Sequence, residues 1–176
     1  MAELSPFEVG AEALRTLLGN ELGPWQVRSH RWGLKLWFGD ELQAPREHYE
    51  AQTVSRRHVP TASSFAIEVG FHAEHPDDAL NEAVLEQLRA GGARWRRSIG
   101  GAVEDGTFLG RQGWRRISET WLDPDLRDPE LPLAMACRVV DYAAALEPVR
   151  RAANRSATGA LRGGGGRAGA PGAAGG

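Results

Sequence analysis

Cysteine and lysine are almost missing from this chain. Cys137 is the only cysteine, so no internal disulfide can form, and the chain suits a reducing compartment. Lys35 is the only lysine among 21 basic residues, all the others being arginine. No apolar run approaches the roughly 20 residues of a membrane-spanning helix. Met1 to Pro6 hold neither a basic nor an apolar segment, so no signal peptide is expected. The formal charge of −2 gives no bulk attraction to nucleic acid or to acidic membranes. These absences describe a cytoplasmic domain with no membrane partner.

Catalytic signatures are missing too. There is no glycine-rich phosphate loop after a strand, no Walker loop and no serine elbow. The glycines near the C-terminus follow no strand and precede no Lys-Ser or Lys-Thr pair. Asp123, Asp125 and Asp128 lack the glycine and terminal glutamate of a calcium loop, and read as turn and cap residues. No motif assigns a catalytic residue, a cofactor or a metal. Cys137 sits in an apolar helical stretch and reads as core.

What is present is an ordinary globular composition, 41% hydrophobic and 25% charged over 176 residues, enough for one domain with a core. The organising stretch is Phe65 to Glu74. Phe65, Ile67, Val69, Phe71 and Ala73 alternate with Ala66, Glu68, Gly70, His72 and Glu74, the period of a half-buried strand. Ser5, Pro6 and Glu8 form a capping box ahead of a helix whose stripe is Phe7, Ala11, Leu14 and Leu18. Gly19-Asn20 stops it. Trp25 to Phe38 reads as one strand and Arg46 to Val54 as the next, with a polar loop from Ser55 to Ser64. His75-Pro76-Asp77-Asp78 starts a helix with the stripe Leu80, Val84 and Leu88, closed by Gly91-Gly92. A short strand is expected near Gly101 to Glu104, and a longer one from Trp114 to Leu122. Asp128-Pro129 opens a long helix that Pro148 ends or kinks.

From Ser156 the composition turns to glycine and alanine with no acid. Residues 1–155 therefore read as a single α+β domain and 156–176 as a disordered Gly/Ala/Arg tail. The domain is expected to be an antiparallel sheet of four to five strands with helices packed on one face, in the order α-β-β-β-α-(β)-β-α. Over residues 5–152 this element order resembles that of type III secretion chaperones and their relatives. The resemblance carries no residue motif and implies no function.

Two residue sets could carry chemistry. An antiparallel register centred near Pro60 puts His48 across from His72 and Gln52 across from Glu68, with Glu50 and Glu74 close by. Imidazoles and carboxylates gathered this way can hold a metal or move a proton; as solvated surface they do neither. The second set is Arg94, Arg96, Arg97, Arg115 and Arg116, interleaved with Trp95 and Trp114, a pattern that suits single-stranded nucleic acid. The sequence favours a non-enzymatic domain that binds another macromolecule, a protein above all. Its first alternative is a metal-assisted hydrolase or nuclease built on His48, Glu50, Glu68, His72 and Glu74. Its second is nucleic-acid binding through arginine and tryptophan.

Overall fold

The computed structural model describes residues 4–100 and 102–163, with side chains through Ala153. In chain order the elements are α1 (Pro6–Leu17), β1 (Trp25–His30), β2 (Gly33–Phe38), β3 (Glu47–Ser55), β4 (Phe65–Ala73), α2 (Asp78–Ala90), α3 (Gly92–Ile99), β5 (Glu104–Phe108), β6 (Arg111–Leu122) and α4 (Leu131–Gly163). The strands form one antiparallel sheet of six, ordered β1-β2-β3-β4-β6-β5. None of the described helices is long and apolar enough to cross a membrane.

The four helices cover one face. Leu34 and Leu36 of β2, Tyr49 and Ala51 of β3, Ile67, Val69 and Phe71 of β4 and Ile117 of β6 point into a single core. Above them lie Phe7 and Leu14 of α1, Leu85 and Leu88 of α2, Trp95 and Ile99 of α3, and Met135, Val139, Tyr142 and Leu146 of α4. The α1 capping box forms as the sequence indicates, Glu8 N–H donating to Ser5 Oγ and Ser5 N–H to the Glu8 carboxylate. Asp77 caps α2 by accepting from Ala79 N–H.

Several expectations change. Trp25 to Phe38 is a hairpin rather than one strand, and Trp32 lies exposed in its turn. Arg94 to Ile99 is helix, because Trp95 is fully buried against α4 and α2 and its indole N–H donates to the Leu88 carbonyl at 2.7 Å. The short strand accordingly begins at Glu104 and pairs with a β6 that starts at Arg111. The buried stripe of α2 is Asn81, Leu85 and Leu88, leaving Leu80 exposed, since the Asn81 side chain is needed below to bond His75 N–H and the carbonyls of His75 and Gly113. Helix α4 starts at Leu131 and continues past Pro148 through Gly163, so it overruns the Ser156 boundary. Residues 164–176, with the disorder expected of them, lie outside the described residues. Cys137 is exposed, not core: Met135, Ala136 and Val139 face the sheet, and Cys137 falls on the far side of the helix.

Candidate metal centre

No described helix lies over the second face of the sheet, yet its middle is buried. His48, Glu50, Glu68 and His72 are each no more than 1% exposed. Two loops and the end of β5 border this face. In the segment 56–64, Val59 and Ala62 pack on Val54 and Ala66. Asp123 pins that segment to the end of β6, its carboxylate accepting from the backbone N–H groups of Ser63 and Ser64 at 2.7 Å each. The segment 39–46 brings the Pro45 carbonyl to His48 and the Glu41 carbonyl to Trp37. Phe108, at the end of β5, sets its ring edge-on to His72 at 4.9 Å. The solvated face that was the simplest expectation is therefore a polar interior. Gly70 does not leave that face open, as its lack of a side chain suggests. A Cβ there would stand 2.3 Å from the Ile117 carbonyl oxygen and 2.5 Å from Ser118 Cα, so glycine is what lets β6 approach β4.

The register matches the sequence reading: His48 pairs with His72 and Gln52 with Glu68. Within the cluster, donor atoms from two strands and the residue after β4 converge on one point. His48 Nε2 and His72 Nδ1 lie 3.1 and 3.3 Å from Glu50 Oε2, and 3.8 and 3.9 Å from Glu74 Oε1. A tetrahedral ion with bonds of about 2.0–2.1 Å spaces its ligands about 3.3–3.4 Å apart. All four donor atoms fall within 4.8 Å of one another.

Each donor is also held from behind. His48 Nδ1 is 2.9 Å from the Pro45 carbonyl, which can only accept, so Nδ1 carries the proton and Nε2 presents its lone pair to the centre. His72 Nε2 stands 2.8 Å from Glu68 Oε2, leaving Nδ1 for the centre. His30 Nδ1 accepts from Trp32 N–H at 3.3 Å, so His30 Nε2 donates to Glu50 Oε1 at 3.1 Å and turns Oε2 inward. Outer partners of this kind orient metal ligands. The hold on His72 is one of charge rather than aligned hydrogen bonding. Both its ring nitrogens, like Glu68 Oε1, lack an aligned hydrogen-bond partner while fully buried.

In the protein as described, cations already occupy the centre. Lys35 pairs with Glu50 across the β2–β3 ladder. Its Nζ lies 2.9 Å from His48 Nε2 and 3.0 Å from Glu50 Oε2. Burial presses the His72 imidazolium to release its proton, but the Glu68 and Glu50 carboxylates outweigh this and push its pKa up to about 10. Burial likewise raises Glu50, while the His30 N–H and the His72 ring beside it hold it well below the ordinary value. Glu68 is lowered in the same way against burial, by His72, Ser118 and Arg116.

No family model, curated protein or solved structure matches this chain. The resemblance to type III secretion chaperones rests on the expected element order, which the observed order departs from, and it contributes no residue to the site.

Gln52 stands at the edge of the cluster, its amide 3.4 Å from Glu68 Oε2. The arginines do not gather into one surface. Arg96 stacks on Trp95 and pairs with Asp105, while Arg94 lines a groove between α3 and α4 and Arg97 is exposed on α3. Arg115 points to the helices and pairs with Glu82. Arg116, its neighbour in a strand, points to the opposite face, where it bonds Glu104 and Ser118 Oγ and approaches Glu68. Sequence reasoning missed Lys35, His30 and Phe108. A signal for Lys35 was available, since a lone lysine in an arginine chain marks a place where a compact, strongly hydrated charge serves and a guanidinium does not.

Proposed function

We propose that the chain is a metal-dependent hydrolase. His48, Glu50 and His72 hold a divalent transition ion, zinc by donor type, and Glu74 stands beside a fourth position left for water. The observation that carries this reading is the convergence of His48 Nε2 and His72 Nδ1 on Glu50 Oε2, at 3.1 and 3.3 Å and with all donors within 4.8 Å of one another, with the far side of each group held by Pro45, Glu68 or His30. Three close donors beside one looser, partly exposed carboxylate are the pattern of a catalytic rather than a closed site. Bound there, zinc supplies Lewis-acid activation of water. Glu74 is the group placed to take a proton from that water and return it to the leaving oxygen. The charge exchange is even: a divalent ion replaces the Lys35 ammonium and the His72 Nδ1 proton, so the carboxylates of Glu50, Glu68 and Glu74 keep the same neutralising charge.

The interaction-domain reading has no comparable convergence of side chains behind it among the described residues. The test is metal analysis of the purified chain after zinc loading and desalting, with turnover of ester and phosphoester substrates. One zinc per chain is expected, falling to none in the folded double variant His48→Ala/His72→Ala together with any hydrolysis. Zinc retained by that variant, or no zinc in the native chain, overturns the reading.

A further inference from the structure

Beside the centre, the β1–β2 hairpin and the segment 39–46 border an open pocket of about 280 Å³ lined by Arg28, His30, Lys35, Trp37, Gln43 and Ala44. Three of these side chains can carry positive charge, and none is acidic. Arg28 is one of several arginines without a carboxylate partner among the described residues, and it is the one at this pocket. Arg89, Arg96, Arg115, Arg116, Arg138, Arg150 and Arg151 all meet carboxylates. Arg28 donates one hydrogen bond, at 3.0 Å to the Leu42 carbonyl, and has no ion pair among the described residues. That bond holds its guanidinium at the cavity with most of its donors unspent.

The cavity and the centre share a wall. Lys35 lines the first and reaches Glu50 and His48 in the second, and His30 lines the first while donating to Glu50. An ion at the centre takes the lone pairs that Lys35 Nζ now occupies. The ammonium is on a flexible four-carbon stem and its side chain is 25% exposed, so it can turn into the cavity beside Arg28.

Resting on the hydrolase reading, we propose that this cavity takes the phosphate of a small phosphomonoester, the substrate of the centre. A forked guanidinium and a point-charge ammonium are the two side chains suited to a dianionic phosphate. The volume lies just under the roughly 300–1,000 Å³ of ordinary ligand pockets, enough for a phosphate and a small ester group. In the reaction, water forms the new bond to phosphorus and its proton passes to Glu74. The ester P–O bond breaks, and the departing oxygen takes that proton, giving an alcohol and inorganic phosphate.

The experiment is calorimetric titration of inorganic phosphate into the full chain, zinc-loaded and zinc-free, with Arg28→Gln and Lys35→Met run alongside. Arg28 is exposed on an edge strand, so its variant is expected to fold. Phosphate should bind the zinc-loaded chain at least tenfold more tightly than the zinc-free one. Arg28→Gln should weaken phosphate at least tenfold while the zinc stoichiometry stays as it was. Lys35→Met should lower phosphate affinity and raise zinc affinity, because it removes the competing ammonium. Unchanged phosphate affinity in Arg28→Gln, or no phosphate binding in either state, overturns the cavity. Should zinc fail to bind, the hydrolase reading falls, and an Arg28-dependent phosphate affinity of the zinc-free chain still supports the cavity.

Discussion

His48 and His72 are direct cross-strand partners in the β3–β4 ladder, their rings edge to face at 5.7 Å, and each turns one nitrogen toward Glu50 Oε2. Cross-strand pairing alone would place two side chains next to each other. The pairing becomes a site because Pro45 and Glu68 occupy the opposite ring nitrogens and the middle of the face is shut off from solvent.

Burial of that face sets the first expectation. Glu68 is fully buried against His72, as Ile67 is fully buried against the helices. Glu68→Gln removes one partner of a buried charge pair and should cost about 3–5 kcal/mol. Ile67→Ala should cost about 2–5 kcal/mol as a core truncation. Urea denaturation of both variants measures this, and a near-neutral Glu68→Gln would mean the face is open to water.

Gly70→Ala is expected to destabilise by about 1–3 kcal/mol or more, since the added methyl meets backbone rather than a side-chain tip. Proton exchange at the amides of Ser118 and Gly70 should accelerate with it, because these two residues pair across the β4–β6 ladder. Protection unchanged from the native chain would contradict the close approach.

Glu119 gives a pH dependence of stability. It lies on the helix side of β6, where burial raises its pKa but bonds from Arg138, Trp121 and Tyr142 outweigh burial and lower it. A depressed folded pKa stabilises the fold above the unfolded value, near about 4.3, and that stability is lost as pH falls through the folded value. Glu119→Gln should therefore be less stable than the native chain by roughly 1–3 kcal/mol at neutral pH. The gap should close in strong acid. Melting curves from neutral pH into acid check it, and a gap that persists in acid would assign the loss to packing.

A chain ending at Asn154 should keep its melting temperature within a few degrees. The described core residues of α4 end at Leu146 and Val149, and Arg150 and Arg151 pair back to Glu47 and Glu147 before the cut. A cooperative loss of stability on this truncation, seen by calorimetry, would show that the remainder of α4 carries tertiary contacts.

Residue pattern by itself determined the sheet's central strand, its two faces, the register that sets His48 against His72, and the helix starts at Ser5 and Asp77. These follow from local rules: alternation with period two, loop length and capping chemistry fix them before any distant contact forms. Three features were decided only by tertiary structure. The hairpin at Arg31-Trp32 has no glycine-asparagine turn signal, and it forms because β1 must fold back onto β2 to bury Val27 and Trp25 beside α1. Helix at Arg94 to Ile99 depends on Trp95 finding its place between α2 and α4, although the glycines around it suggest loop. Burial of the polar face depends on the loops that hold Pro45, Val59 and Ala62 and on Phe108 at the end of β5, which tertiary packing brings to it. Alternation says which side a residue faces; whether water is there is decided by what else the chain lays across it. For that reason His48, Glu50, Glu68 and His72 were legible as a row, and Lys35, His30 and the enclosure that makes the row a site were not.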